Sequence, residues 1–295
     1  MQFVTFESKQ GPVPGAVMGG GKMVMDLSAL GIADDMLRLV ENFETLLPRI
    51  KQAASNGKHH VALEDVRLLA PIPIPARNIF CVGKNYLDHA REFGTSGFDS
   101  SASTGDHAPD EPIIFSKVPS SVIGPHDEIP RSLDPYDSVD YEAELAVIVG
   151  KRGRVMDGDD PMDYVFGYTI LNDVTSRELQ RRHKQWLLGK GLDGFCPLGP
   201  VIVTRDEFEQ QQDASIRTWV NGEPRQSATL AQLIFDVPML LRTIGRVITL
   251  QAGDIIATGT PAGVGIGFDP PKYLRKGDVV RIEISGIGVL ENPVG

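Results

Sequence analysis

The sequence predicts an α+β fold that is predominantly β, with a small N-terminal α/β unit over residues 1–72 and a larger β-rich domain over residues 73–295. Three observations carry this. The last third consists of short apolar runs separated by Gly- and Pro-rich turns. Few segments place apolar residues at helical spacing. Strands and helices do not alternate in the manner of a βαβ array.

Taken in order, MQFVTFES and KMVMDL read as strands around Gly/Pro turns, GPVPG and MGGGK. DMLRLVENFETLLPRIKQA then has the apolar spacing of a helix. PIPIPAR (71–77) carries three prolines at alternate positions, an extended connector that can be neither helix nor central strand. The domain boundary is expected there. NIFCVG reads as a buried strand and NYLDHAREF as a short helix. Residues 94–112 are Gly/Ser/Asp-rich without apolar period, and a loop of that length reads as a lid or an insert. PIIFSKV and VDYEAELAVIVG (139–150) continue as strands. DYVFGYTILND, a strand, runs into VTSRELQRRHKQ, a helix. PVIVTRDEF, SIRTWVNGEPRQ, GDIIATGTPAGVG and GDVVRIEISGIGVLENPV are strands and turns, with Asn221-Gly222 as a hairpin signal.

The net charge of −10 argues against a nucleic-acid binder, which needs a basic patch, and against an anionic membrane surface. No segment approaches the ~20 apolar residues of a membrane helix, since Arg242 and Arg246 interrupt the greasiest one. MQFVTFESKQ lacks the pattern of a secretory signal. Cys81 and Cys196 lie far apart with no zinc spacing, so two reduced, buried thiols in a cytoplasmic protein are expected.

The chemistry-bearing residues begin with VDYEAELAVIVG. As one strand it places Asp140, Glu142 and Glu144 on one face. Burying adjacent carboxylates unpaired costs roughly several kcal/mol each. A divalent cation that prefers oxygen ligands (Mg²⁺, Mn²⁺ or Ca²⁺) removes that cost. A solvated strand face would show the same E-x-E, although the apolar AVIVG that follows is poor ground for one. A third carboxylate is available in Asp173, at the end of an apolar strand. With Arg177 and Gln180 it is spaced i, i+4, i+7, one helix face, so it could equally be a helix cap paired with arginine. The functional reading makes Asp173 a ligand and aims Arg177 and Gln180 at an anionic substrate.

His89 and Glu92 are i, i+3 on the short helix. A carboxylate-held histidine suits general-base work, though such pairs are common on surfaces. Lys190, between glycines, can be a surface residue or a fixed cation for a carboxylate or enolate oxygen. Lys117 allows the same two readings. GTPAGVGIG (259–267) matches no dinucleotide loop. It is either a tight turn or a backbone cradle for a substrate carboxylate, with Thr260 donating its hydroxyl. MGGGKM lacks the residues of a phosphate loop, and no G-x-S-x-G elbow exists.

NIFCVGKNYLDHARE, PIIFSKVPSSVIGP, VDYEAELAVIVG, GYTILNDVTSRELQ, GKGLDGFCPLGP, GDIIATGTPAGVG and LRKGDVVRIEISGIG occur in the order found in the fumarylacetoacetate hydrolase family. The chain resembles that family over nearly all of residues 78–290, and within it the domain-containing protein 2 type. The resemblance implies the family's β-roll catalytic domain, usually as a homodimer. It implies that Glu142, Glu144 and Asp173 ligate Mg²⁺ or Mn²⁺, with Ca²⁺ a possible substitute in crystals. It implies that His89 and Glu92 form the base dyad and that Arg177, Gln180, Lys190 and Thr260 contact substrate. Val82 departs from larger members, which place a further metal-binding carboxylate there, so water or substrate oxygens would complete the coordination. Asp140 matches no family role and is expected at the rim.

The expected partner is a small anionic dioxo or oxo-carboxylate substrate. The first expectation is metal-dependent C–C hydrolysis of acylpyruvate-like 2,4-dioxo acids to pyruvate or a related keto acid plus a carboxylic acid. His89 would activate water, and Lys190 would help stabilise the enolate. The same site could serve as an oxaloacetate tautomerase or decarboxylase, or as a 2-hydroxymuconate-type isomerase. A metal-stabilised binding protein without catalysis is the third reading, against which His89, Glu92 and Lys190 speak.

Overall fold

The structure, a computed structural model, describes residues 1–57, 59–95, 108–211 and 213–295. Strands β1 (Gln2–Ser8), β2 (Gly11–Met18) and β3 (Met23–Asp26) precede helices α1 (Met36–Glu41) and α2 (Phe43–Ala54) and the short strands β4 (His60–Ala62) and β5 (Leu68–Leu69). Next come β6 (Ile79–Gly83), α3 (Leu87–Thr95), β7 (Ile113–Lys117), β8 (Val122–Ile123), β9 (Val139–Asp140), β10 (Ala143–Val149), β11 (Val165–Asn172) and β12 (Thr175–Ser176). Helices α4 (Arg177–His183) and α5 (Leu187–Lys190) lead to β13 (Cys196–Thr204), α6 (Arg205–Phe208), β14 (Ser215–Val220) and β15 (Glu223–Thr229). Helix α7 (Val237–Gly245) and strands β16 (Ile255–Ala257), β17 (Val279–Ile284) and β18 (Gly288–Pro293) complete the chain.

One 12-stranded sheet runs β4-β3-β2-β1-β13-β11-β10-β16-β6-β7, with β5 added to β1 and β8 to β13. A 4-stranded antiparallel sheet, β15-β14-β17-β18, packs on it, and β9 forms a 2-stranded sheet with β12. The N-terminal strands extend the main sheet, because β1 pairs with β13 (Gln2 opposite Val203). Strand β10 explains its own composition. Ala143, Leu145, Val147 and Val149 enter one apolar cluster with Ile216, Ile282 and Leu290 of the second sheet. Ala146 and Ile148 enter another with Leu39 of α1 and Ile50 of α2. A strand buried on both faces needs a continuous apolar run. No helix among the described residues is long and apolar enough to cross a membrane.

Several local expectations are corrected. GPVPG is not a turn but the start of β2. Strand β3 reaches only Gly15–Met18 of it, so Pro12 and Pro14 sit where the second ladder is not formed. VDYEAELAVIVG is not one strand: the chain breaks at Tyr141–Glu142, between β9 and β10. Helix α4 is capped by Ser176, which accepts from the Leu179 N–H, so Asp173 lies outside it and shares no helix face with Arg177. The Asn221-Gly222 hairpin forms as expected, with φ of 53° and 78°, the left-handed pair of a type I′ turn. Of the expected lid, residues 96–107 lie outside the described residues.

Candidate active site

The three carboxylates come together through register. Strands β10 and β11 are antiparallel neighbours with Ala143 opposite Asn172. The Asp173 N–H donates to the Glu142 carbonyl at 2.8 Å. Thirty residues of sequence separation are thereby closed, and oxygens of Glu142, Glu144 and Asp173 all lie within 4.8 Å of one another, buried. The break at Tyr141–Glu142 is held by side chains that replace ladder partners. Asn172 Oδ1 accepts the Glu142 N–H at 3.0 Å, and Gln226 Oε1 accepts the Ala143 N–H at 3.1 Å.

The charges are arranged unequally. Lys190 Nζ donates to Glu142 Oε2 and to Asp173 Oδ2, each at 2.8 Å. Arg177 reaches Glu142 Oε1 at 2.7 Å. Glu144 has no ion-pair partner among the described residues, and its Oε2 accepts the Gly259 N–H at 2.7 Å. Burial raises the Glu142 carboxyl, but the Lys190 and Arg177 charges overcome it and hold it down at about 2. Burial, with Asp173 and Glu142 beside it, pushes Glu144 well above the carboxylate range. For Lys190 the neighbouring carboxylates outweigh burial and keep it charged. A buried carboxylate with two like charges beside it and no cation of its own fits a divalent ion, and three hard oxygen donors suit that chemistry.

Lys117 is corrected from substrate contact to support. It is fully buried, and its Nζ donates to Asp173 Oδ1 at 2.7 Å, to the Val174 carbonyl at 3.0 Å and to the Lys190 carbonyl. All three ammonium protons are used within the protein. Removing one partner of a buried pair costs about 3–5 kcal/mol. Lys117→Met is therefore expected to lower thermal stability by that amount and weaken divalent-cation binding, as read by calorimetry. Unchanged cation affinity would show that Asp173 is placed without it.

Asp140 is likewise corrected: it is buried, not at the rim. It accepts from Arg177 Nε at 2.9 Å, from the Gly265 N–H at 2.6 Å and from the Ile266 N–H at 3.0 Å. Arg177 is thus fixed by Asp140 on one edge and Glu142 on another, with Gln180 Oε1 at 3.3 Å. Its Nη2 is buried and has no hydrogen-bond partner among the described residues, which leaves one donor for a ligand. The close approach of α5 to α4 depends on Gly189, where a Cβ would lie 2.6 Å from the Gln180 backbone nitrogen. That contact sets Lys190 beside Gln180.

Helix α3 presents His89, whose Nδ1 is 3.3 Å from Glu92 Oε2. The Gly263 N–H donates to both Glu92 oxygens, at 3.0 and 3.2 Å. The glycine-rich loop is therefore a cradle, but for the protein's own acids: Gly259 holds Glu144, Gly263 holds Glu92, and Gly265 and Ile266 hold Asp140. Gly259 has φ of +101°, and a Cβ there would meet Asn85 Cβ at 2.7 Å.

His89, Glu142, Arg177, Gln180, Lys190 and Thr260 line one cavity. Glu144, Asp173 and Glu92 do not line it directly but bond to or lie beside residues of this region. The cavity measures about 20 Å³, room for one water. Phe93 and Trp186 line it too, with ring centroids 6.3 Å apart. The Phe93 ring centroid lies 5.7 Å from the Arg177 guanidinium and 5.6 Å from Lys84 Nζ. Sequence reasoning missed Lys84, Phe93, Trp186 and Gln226. Lys84 carried a signal of its own, a lysine directly after a buried strand, and its φ is 56°.

The comparisons agree with this construction. Residues 78–295 match the family model described as fumarylacetoacetate (FAA) hydrolase C-terminal. The chain is 48% identical over 240 residues (81% of this chain, 76% of the relative) to the oxaloacetate tautomerase YisK of Bacillus subtilis (strain 168). A solved fumarylacetoacetate hydrolase from Exiguobacterium antarcticum is 41% identical with a TM-score of 0.81, over 100% of this chain and 99% of that one. The maleylpyruvate hydrolase of Sphingobium sp. SYK-6, solved with manganese(II) and pyruvate, is 33% identical with a TM-score of 0.78, over 100% and 98%. By sequence, fold and the register that gathers its three acids, the chain belongs to the fumarylacetoacetate hydrolase family.

Proposed function

We propose that this protein is a divalent-metal-dependent tautomerase of oxaloacetate-like oxo acids. The observation that carries the reading is His89, backed by Glu92 and facing the same cavity as Lys190 and Arg177, in a chain with 48% identity to an oxaloacetate tautomerase. Keto–enol conversion breaks one C–H bond at the methylene and forms one O–H bond at the oxo oxygen. It asks for one base, a returned proton and positive charge beside the oxygen. Hydrolysis, the first expectation from the sequence, asks in addition for a water held against a carbonyl.

Glu142, Glu144 and Asp173 would hold Mg²⁺ or Mn²⁺. When bound, such an ion supplies Lewis acidity to the oxo acid's carboxylate and oxo oxygens. The chain's own residues do the rest. With Nδ1 turned to Glu92, the His89 ring offers Nε2 to take the methylene proton and return it to oxygen. Arg177 Nη2 and the Thr260 hydroxyl orient the carboxylate, and Lys190 keeps positive charge at the oxygen that gains electrons.

The test compares decay of the oxaloacetate enol absorbance with loss of acetylpyruvate, each with Mg²⁺ and with chelator. Mg²⁺-dependent enol decay without carbon–carbon cleavage is expected. Faster acetylpyruvate cleavage, releasing acetate and pyruvate, would return the hydrolase reading to first place.

A further inference from the structure

Gln226 lies on β15, buried, outside the cavity wall. Its Oε1 accepts the Ala143 N–H at 3.1 Å and the Thr218 hydroxyl at 2.9 Å. Its Nε2 donates to Thr260 Oγ1 and to the Pro261 carbonyl, each at 2.7 Å. The two backbone partners fix the sense of the amide. An N–H only donates and a C=O only accepts, so a flipped amide would be wrong at both. Thr260 Oγ1 is therefore an acceptor toward Gln226, and its own proton must point elsewhere. Thr260 lines the cavity beside Lys190 and Arg177, and its hydroxyl has no second partner among the described residues.

We infer that Gln226 is a positioning residue: through its amide it makes Thr260 an obligate hydrogen-bond donor to the anionic end of the bound oxo acid. An unconstrained threonine could accept as easily as donate, and an accepting oxygen would repel a carboxylate. The same amide anchors the N–H of Ala143, the residue between Glu142 and Glu144. One side chain thus ties the donor to the carboxylate strand, from a hairpin more than eighty positions away in sequence. The inference rests on the proposed function only in that the ligand is an anionic oxo acid, so its test reads binding, not turnover.

Oxalate, a planar dianion with two adjacent carboxylates, is the probe, titrated calorimetrically into Mg²⁺-loaded protein. Gln226→Met and Thr260→Val are each expected to weaken oxalate about tenfold, the scale of one hydrogen bond to a charged group. The double variant should be within twofold of the weaker single variant, because both remove the same donor. Thr218→Val breaks a bond of the same network without touching Nε2 and should bind within twofold of wild type. Thr260→Ser keeps the hydroxyl and should do the same. Should the methionine variant fail to fold, Gln226→Glu keeps the shape and the Ala143 contact. Its carboxylate accepts from the hydroxyl and turns the proton away from the cavity, so the same loss is expected. Multiplying losses in the double variant, an equal loss in Thr218→Val, or oxalate binding unaffected by Thr260→Val would overturn the inference. So would wild type that binds no oxalate.

Discussion

Replacing His89 by alanine is expected to lower the turnover of oxaloacetate tautomerisation by about 10²–10⁴-fold, the usual worth of a positioned general base. Mg²⁺ should bind as in wild type. The separation follows from the geometry: His89 is tied to Glu92 and makes no hydrogen bond to Glu142, Glu144 or Asp173. Glu92→Gln should cost as much, about 10²–10⁴-fold, since the Gly263 N–H claims the amide oxygen and the amide N–H then faces His89 Nδ1, which holds the ring in the tautomer whose Nε2 already carries a proton. Turnover measured with Mg²⁺, set beside calorimetric Mg²⁺ affinity, checks both. Equal rates for wild type and His89→Ala would remove the dyad from the mechanism.

Glu144→Gln is expected to act in opposite directions with and without metal. In metal-free protein, burial with Asp173 and Glu142 beside it pushes the folded-state carboxyl of Glu144 well above its ordinary value of 4.5. A raised carboxyl means that the folded state binds more protons than the unfolded chain. Its contribution is present below about pH 4.5 and is lost as pH rises through the folded value. The glutamine removes that penalty, so the metal-free melting temperature should rise, by roughly 2–4 °C for each kcal/mol recovered. Glu142 has the opposite sign. Its carboxyl is depressed to about 2, so its contribution is present above pH 4.5 and is lost as pH falls toward 2. With Mg²⁺ present, Glu144→Gln should lose at least the 10–100-fold of affinity that even outer-shell changes cost. A calorimetric scan of both proteins with chelator and with Mg²⁺ should therefore show the curves crossing. If the variant is less stable in both conditions, Glu144 is a structural residue and the ligand assignment fails.

How much of this was legible in the sequence follows from where the determinants lie. The acids Glu142, Glu144 and Asp173 were readable because two share a strand-like stretch and the third ends an apolar run, and the family likeness joined them. The β-rich body was readable from its turns, and the Asn221-Gly222 hairpin from its dipeptide. Asp140 was misread because its carboxylate is held in the interior by the Gly265 and Ile266 N–H groups, which arrive from more than 120 positions away. Lys117 was misread because a lysine ending an apolar strand looks alike whether its ammonium faces substrate or, as here, Asp173. Gln226 offered no signal at all. A glutamine in an exposed-looking hairpin becomes a buried fourfold hydrogen-bond hub only when β15 packs beside Ala143 and Thr260. GPVPG was read as a turn by composition, and the sheet tolerates its prolines only because β3 stops short of them.

In the proposed reaction His89 moves one proton at the carbon beside the oxo group, with no carbon–carbon bond broken. NMR of oxaloacetate in D₂O with the Mg²⁺-loaded protein tests it most directly. Deuterium is expected to enter the methylene far faster than without protein, an effect abolished by chelator and by His89→Ala, with oxaloacetate carbon conserved. Pyruvate appearing at the rate of substrate loss, with no deuterium in the remaining oxaloacetate, would contradict it.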